Sequence, residues 1–387
     1  MHFQLLARDF RIDGTASIIF SAAMPKQLSK KAQQPDVRKT RGTNRFALPC
    51  ILIAVVIAIV FFPSLKNDFT NWDDDIYVTN NPDIHKVTLH NIVKGFSSSY
   101  ASTYQPFTML AYMAQFAAGG PDPAVFHTTS LLIHIVNCLL VFTLLYGLSG
   151  RVFTGAIAAL IFAVHPLRVE SVAWVADQKD LLATFFYLVS LLTYNVFAKN
   201  TARKFYWFSL TAFVFSLLSK PIAVSLPFAL FLIDYLNNKK QDRRLLTRKI
   251  PFFAIAAAFA AITLVTQQHS GAINTNAVVS VLDRICIPFY GIVFYIVKFF
   301  LPIKLGALYT MPSPDNFMMN ALIKASPFIV ASIAALLWFF RSAAKIVIAG
   351  CLFFVITLLP VLQIIPIGSA IVSDRYSYLP LIGISGI

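Results

Sequence analysis

FALPCILIAVVIAIVFFPSLKNDFTNWDDDIYVTNNPD, residues 46–83, holds an uncharged apolar run and then, ten residues beyond it, three adjacent aspartates. The run at 46–63 is long enough, with little tilt, to cross a hydrocarbon core that needs about 20 helical residues. Asp73, Asp74 and Asp75 stand out because carboxylates are scarce: 17 Asp plus Glu face 32 Lys plus Arg. The cluster has three readings: a metal-ligand set, a catalytic base with helpers, or a solvated marker of topology.

The rest of the chain extends the pattern of the first run. Of 387 residues, 57% are hydrophobic and 13% charged, and mean hydropathy is +0.70. A water-soluble domain cannot hide that much apolar surface, so the fold predicted is all-α, a multi-pass transmembrane helical bundle. Apolar stretches at 46–63, 124–148, 152–165, 180–198, 204–219, 221–236, 250–267, 281–303, 325–340 and 346–366 supply about 9–11 membrane segments, the shorter ones tilted, kinked or re-entrant. The net charge of +15 lies in short runs between these stretches, as in cytoplasmic loops beside anionic headgroups, so membrane lipid and not nucleic acid is the expected partner. Cys50, Cys138, Cys286 and Cys351 sit in or beside apolar segments without a CxxC pair, and read as packed side chains.

Residues 1–45 form a polar, basic tail, expected to be disordered and cytoplasmic. Its apolar part is broken by Arg8, Arg11 and Asp13 and makes no secretory signal; Met24 is an alternative start. At the other end LPLIGISGI (379–387) is shorter than a span, which suggests truncation at Ile387. Within the polytopic part, 46–387, an inside tail sends 64–123 to the outer face as a first loop. Two more crossings return HPLRVESVAWVADQKD (165–180) to that face. The basic turns AKNTARK (198–204) and KKQDRRLLTRK (239–249) land inside. If 281–303 crosses simply, RSAAK (341–345) is outside and DRYSYLP (374–380) inside. If it is a re-entrant or interfacial hairpin, interrupted at Pro288 and Gly291, RSAAK is inside and DRYSYLP joins the acids. The basic character of RSAAK favours the hairpin. Within the first loop, YQPFTMLAYMAQFAAGG (104–120) reads as an interfacial amphipathic helix.

The Asp73-x-Asp75 pattern suits a divalent cation in nucleotide-sugar enzymes, whose α/β domain is absent here, so a divalent cation is possible but not favoured. A carboxylate in a half-buried outer pocket is a better general base for a hydroxyl. Glu170, the only glutamate, shares a predicted helical face with Asp177, and Arg168 and Lys179 on the same segment can hold a phosphate. His127, His134 and Asn137 fall on one side of a span and read as interhelical hydrogen-bonding groups. Asp234 reads as structural, and Lys220 as a lysine at the outer end of a span. Arg375 is a phosphate ligand only if its loop faces outward.

NWDDDIYVTNNPDI, YQPFTMLAYM, HTTSLLIHIVN, HPLRVESVAWVADQKDLL, SKP and DRYSYLP occur in that order over residues 60–387. Together they resemble the membrane half of the transmembrane and tetratricopeptide-repeat proteins, which group with the protein O-mannosyltransferases among GT-C glycosyltransferases. The resemblance implies a GT-C-like membrane enzyme of a bacterial plasma membrane. Such an enzyme takes a mannose-like hexose from a polyprenyl-phosphate donor, at the outer face, to a protein or glycan hydroxyl. It places the catalytic acidic pair on Asp73 and Asp74, with Asp75 an addition, and Asp74 is the preferred base. Arg375, with Arg168 or Lys179, is then the phosphate clamp, and Asp75, Glu170, Tyr104, Gln105 and His165 line the substrate pocket. The family's second histidine in its HPxHxE segment is replaced by Arg168, and no 34-residue repeat is visible. A lipid or sugar transporter and a silent scaffold of the same fold are the rival functions; acids gathered at one face and the lack of internal repeats speak against the transporter.

Overall fold

The run after residue 42 folds as one helix, and helices of the same kind make up almost all of the described chain beyond it. The computed structural model describes residues 43–238, 243–273, 280–312, 316–339, 345–368 and 370–387. The basic tail (1–42), the KKQD start of the second basic turn (239–242) and the RSAA of RSAAK (341–344) lie outside the described residues. In chain order the helices are α1 (Thr43–Phe61), α2 (Leu89–Ser97), α3 (Pro106–Gly119), α4 (Pro123–Ser149), α5 (Val152–Val164) and α6 (Val169–Ala173). They continue with α7 (Gln178–Asn200), α8 (Arg203–Ser219), α9 (Leu226–Leu236), α10 (Arg243–Thr247) and α11 (Ile250–His269). The last are α12 (Val281–Phe300), α13 (Phe317–Phe339), α14 (Lys345–Leu358) and α15 (Leu381–Ser385). One short antiparallel ribbon, β1 (Tyr309–Thr310) with β2 (Ala370–Val372), pairs Tyr309 with Val372 and Thr310 with Ala370.

Among the described residues, five helical stretches are long and apolar enough to cross a bilayer: Phe46–Lys66, Pro123–Ser149, Val175–Asn200, Leu245–His269 and Phe317–Phe339. The bent pair Val152–Val164 and Pro166–Ala173 makes a sixth, and Pro221–Leu236 and Lys345–Val361 are shorter apolar helices. The chain is an all-α, multi-pass integral membrane protein, with fewer full-length spans than the count of apolar stretches predicts.

Local chemistry sets the ends. Asp122 accepts the Ala124 N–H ahead of Pro123 to start α4, and Gly150, at φ 69°, stops it. Where α14 crosses α15 the backbones touch: a Cβ on Gly383 would stand 2.3 Å from the Gly350 carbonyl oxygen, so both positions need glycine. That crossing fixes α15 and, just before it, the DRYS turn.

The two ends of the bundle differ in charge. Lys199, Arg203 and Lys204 flank the turn between α7 and α8, Tyr206 donates to the Arg248 carbonyl at 3.0 Å, and Lys345 donates to Leu236 O and Asn238 Oδ1. At the opposite, acidic end lie residues 64–123, the start of α7, Lys220 and the DRYS turn. With Lys345 at the basic end and Asp374–Arg375 at the acidic end, the arrangement is the one expected if 281–303 does not cross. The hairpin expected there is corrected, however. α12 is a single helix running through Pro288 and Gly291, and Pro288 sacrifices one backbone bond without breaking it. Its last turns stay at the acidic end, where Tyr295 donates to Ser373 O at 2.8 Å and Phe299 O accepts from His165. The segment 104–120 folds as α3. α3 buries Thr108, Met109, Tyr112, Met113 and Gln115 inside the bundle, whereas α2 is the short helix that exposes Leu89, Val93 and Phe96.

Candidate active site

A small apolar core of Tyr77, Val78, Ile84, Met109, Tyr112, Met113, Phe126, Trp174, Val175 and Ala176 lies under the acidic loop and sets its shape. Around that core the loop's carboxylates take separate jobs. Asp74 is buried, with Oδ1 accepting from Ala176 N at 2.8 Å and Oδ2 from Thr70 N and Thr70 Oγ1 at 2.8 and 2.9 Å. Both oxygens are engaged, so Asp74 latches the loop to the 174–176 break. Asp75 caps its own turn through Ile76 N at 2.9 Å. Asp83 accepts from Lys94 Nζ at 2.7 Å and Tyr100 Oη at 2.9 Å. Burial works against its charge, but those two bonds hold its carboxyl below the usual aspartate range. Asp73 is half-buried, and its carboxylate has no hydrogen-bond partner among the described residues, while its carbonyl accepts from Ile76 N and Tyr77 N.

The residues facing this loop gather on Trp174. Its extended backbone, φ −99° and ψ 120°, separates α6 from the short turn leading into α7, so 170–177 is not one helix and Glu170 and Asp177 do not share a face. The Trp174 ring stacks on Trp72 with centroids 5.5 Å apart, and Arg375 Cζ lies 5.3 Å from its centre. Lys179 Nζ stands 4.5 Å over the Tyr77 ring and 6.0 Å from Trp174, in the fields of Asp177, Asp73 and Asp180. Arg375 is tied to Glu170 twice: Nη1 to Oε1 at 2.6 Å and its backbone N–H to Oε2 at 2.7 Å. Glu170 therefore orients Arg375.

Arg168 lies behind the DRYS turn. It is fully buried, donates to Tyr378 O and Ser377 Oγ at 2.8 Å each, and lies between the Phe162 and Tyr378 rings. It is a strut holding the DRYS turn from below. Arg168→Lys, which keeps the charge but not the two-pronged geometry, is expected to destabilise the protein by about 2–3 kcal/mol in thermal or denaturant unfolding. Unchanged stability would show the strut to be dispensable. His165 donates to Phe299 O at 2.9 Å, accepts from Leu167 N and stacks on Phe299, all of which joins helices. Tyr104 donates to Phe96 O at 3.0 Å and packs near Phe259, away from the acids. Gln105 is buried with both amide atoms unpartnered.

His134 bonds Tyr378 Oη and Ala163 O, and Asn137 donates to Leu181 O, so these two knit helices as expected, whereas the buried His127 has no hydrogen-bond partner on either ring nitrogen among the described residues. The residues that sequence reasoning missed are Lys220 and the pair Asp177 and Asp180. Lys220 Nζ lies 2.6 Å from Asp180 and 3.9 Å from Asp177. The signal was present: in an acid-poor chain, SKP returns to the end where the second acidic segment begins. Among the described residues, no group of three or more His, Cys, Asp or Glu side chains converges on a metal position, and all four cysteines are free.

An all-helical membrane bundle with acids, cations and indole rings gathered at one end is the class that fold and site define. No protein-family model matches the sequence. The sequence is similar to protein O-mannosyl-transferases of the TMTC group. It is 32% identical over 178 residues to TMTC4 of Mus musculus, covering 40% of this chain and 24% of that protein. It is 28% identical over 158 residues to TMTC1 of Homo sapiens, covering 37% and 17%. The matched region thus spans about a quarter or less of the length of these relatives. A looser structural likeness, at TM-score 0.44 and 15% identity over 87% of this chain and 58% of the other, is to ArnT from Cupriavidus metallidurans bound to undecaprenyl phosphate.

Proposed function

We propose that this chain is a GT-C-type membrane glycosyltransferase that moves a hexose from a polyprenyl-phosphate donor to an acceptor hydroxyl. The carrying observation is the division of labour in the acidic loop. Asp74, Asp75 and Asp83 are each held by hydrogen bonds, and Asp73 alone of the four keeps an unengaged carboxylate beside Lys179. In the reaction the acceptor O–H proton passes to Asp73 as the oxygen bonds the sugar's anomeric carbon. The bond from that carbon to the phosphate oxygen breaks, and its electron pair leaves with the lipid phosphate. A phosphate leaving group needs no general acid; it needs fixed positive charge, which Lys179 and Arg375 supply in a low-dielectric site.

The concentration of Lys and Arg at the other end of the bundle supports an orientation with that end cytoplasmic and the acids at the outer face. The name of these similar proteins supports a protein hydroxyl as acceptor. The test uses the chain in lipid nanodiscs with radiolabelled polyprenyl-phosphate mannose and a Ser/Thr-rich peptide. Label on the peptide and free polyprenyl phosphate are expected. A donor that stays intact with peptide or glycan acceptors would refute the proposal.

A further inference from the structure

The catalytic reading leaves unused the most costly polar groups in the molecule. Asp177 is fully buried and neither carboxylate oxygen has a hydrogen-bond partner; Asp180 Oδ2 is buried and unpartnered as well. Lys220 sits on Asp180 and within 3.9 Å of Asp177. Across from them lies α3. On that helix Thr108 donates to Ser219 O, next to Lys220, and Tyr112 donates to Val175 O, two residues before Asp177. Gln105, at the head of the same face, is 1% exposed and both atoms of its amide are unpartnered. Buried polar atoms are normally paired, and leaving them unpaired costs stability. Unpartnered acceptors (Asp177, Asp180 Oδ2) thus lie beside the Lys220 cation, and Gln105, one turn before Thr108 on the same face of α3, adds an unpartnered amide.

The mixture identifies the ligand chemistry. A divalent cation wants oxygen ligands only, and Lys220 and Lys179 occupy and repel that position. A phosphate wants donors only, and two carboxylates repel it. A neutral ring with adjacent hydroxyls satisfies both kinds, since each hydroxyl donates to a carboxylate and accepts from an ammonium or amide N–H. We propose that Asp177, Asp180, Lys220 and Gln105 form the hydroxyl-recognition floor of the site and select the donor sugar, separately from the base and the phosphate cations. This rests on the sugar-transfer reading and adds the group that chooses the sugar.

The experiment is competition binding in nanodiscs, with polyprenyl-phosphate mannose, its deoxy-sugar analogues and bare polyprenyl phosphate displacing a labelled donor. The wild type is expected to prefer the sugar-bearing lipid over the bare lipid by about tenfold or more, because a site built to bond hydroxyls rejects ligands lacking them. Asp180→Asn and Gln105→Leu are expected to reduce that preference to less than about threefold and to leave bare-lipid binding unchanged. Gln105→Leu guards against misfolding: it removes two unpaired buried polar atoms, so its thermal midpoint should equal or exceed the wild type's. A purely structural glutamine would lower stability and leave sugar preference intact. Wild-type preference retained in both variants overturns the floor while peptide labelling still upholds sugar transfer. No preference in the wild type, together with no peptide labelling, overturns both.

Discussion

Asp73→Asn is expected to lower sugar transfer by about 10²–10⁴-fold, the usual contribution of a positioned general base. The Asp73 side chain makes no hydrogen bond among the described residues, so the substitution forfeits no native contact and stability should stay within about 0.5 kcal/mol of wild type. Asp74→Asn should behave differently. Its amide group would meet N–H donors from Ala176 or Thr70 where a carboxylate oxygen now accepts them, loosening the loop at a cost of about 1–3 kcal/mol. Activity in that variant should fall together with stability and recover on cooling. Full transfer in Asp73→Asn would remove Asp73 as the base.

Why the sequence could not separate Asp73 from Asp74 is a question of range. Motif spacing brought the acidic pair to 73 and 74, but the choice between them depends on the Ala176 N–H, 102 residues away. Nothing local to the loop encodes that bond. The contacts of Arg168 were illegible for the same reason. A cation in a polar segment reads as available for phosphate, yet Tyr378 and Ser377, more than 200 residues later, consume its donors. Charge asymmetry was legible because it needs only composition and the order of apolar runs. It placed 165–180 and 374–380 at one end and the basic turns at the other, which is how the helices are arranged. Span number was overcounted because apolarity alone does not fix helix length: 221–236 and 346–366 fold as helices shorter than a span. Lys220 lay between the two kinds of information: its end of the membrane was readable, but its ion pair with Asp180 required the α7–α8 packing.

Breaking the Lys249–Asp234 pair from one side should produce the largest loss of stability in the protein. The pair lies at the basic end. Asp234 and Lys249 are 0% and 1% exposed, Asp234 also accepts from Tyr194 Oη at 3.1 Å, and Lys249 Nζ stands 4.4 Å from the Phe231 ring. Three helical segments thus meet on one buried charge pair: α7 through Tyr194, α9 through Asp234, and the head of α11 through Lys249. Lys249→Met leaves a carboxylate in an apolar setting, and Asp234→Leu leaves an ammonium there; each is expected to cost about 3–5 kcal/mol in denaturant unfolding in micelles. The double variant removes both charges and fills the space with apolar groups, so it should lie near wild type or above it. From Asp180 to Tyr194 along α7 is 14 residues, about 21 Å of helix, so the pair is remote from the proposed chemistry. The double variant should therefore transfer sugar at the wild-type rate. Single variants as stable as wild type would deny the pair its structural role, and a stable double variant that has lost transfer would link the basic end to the site.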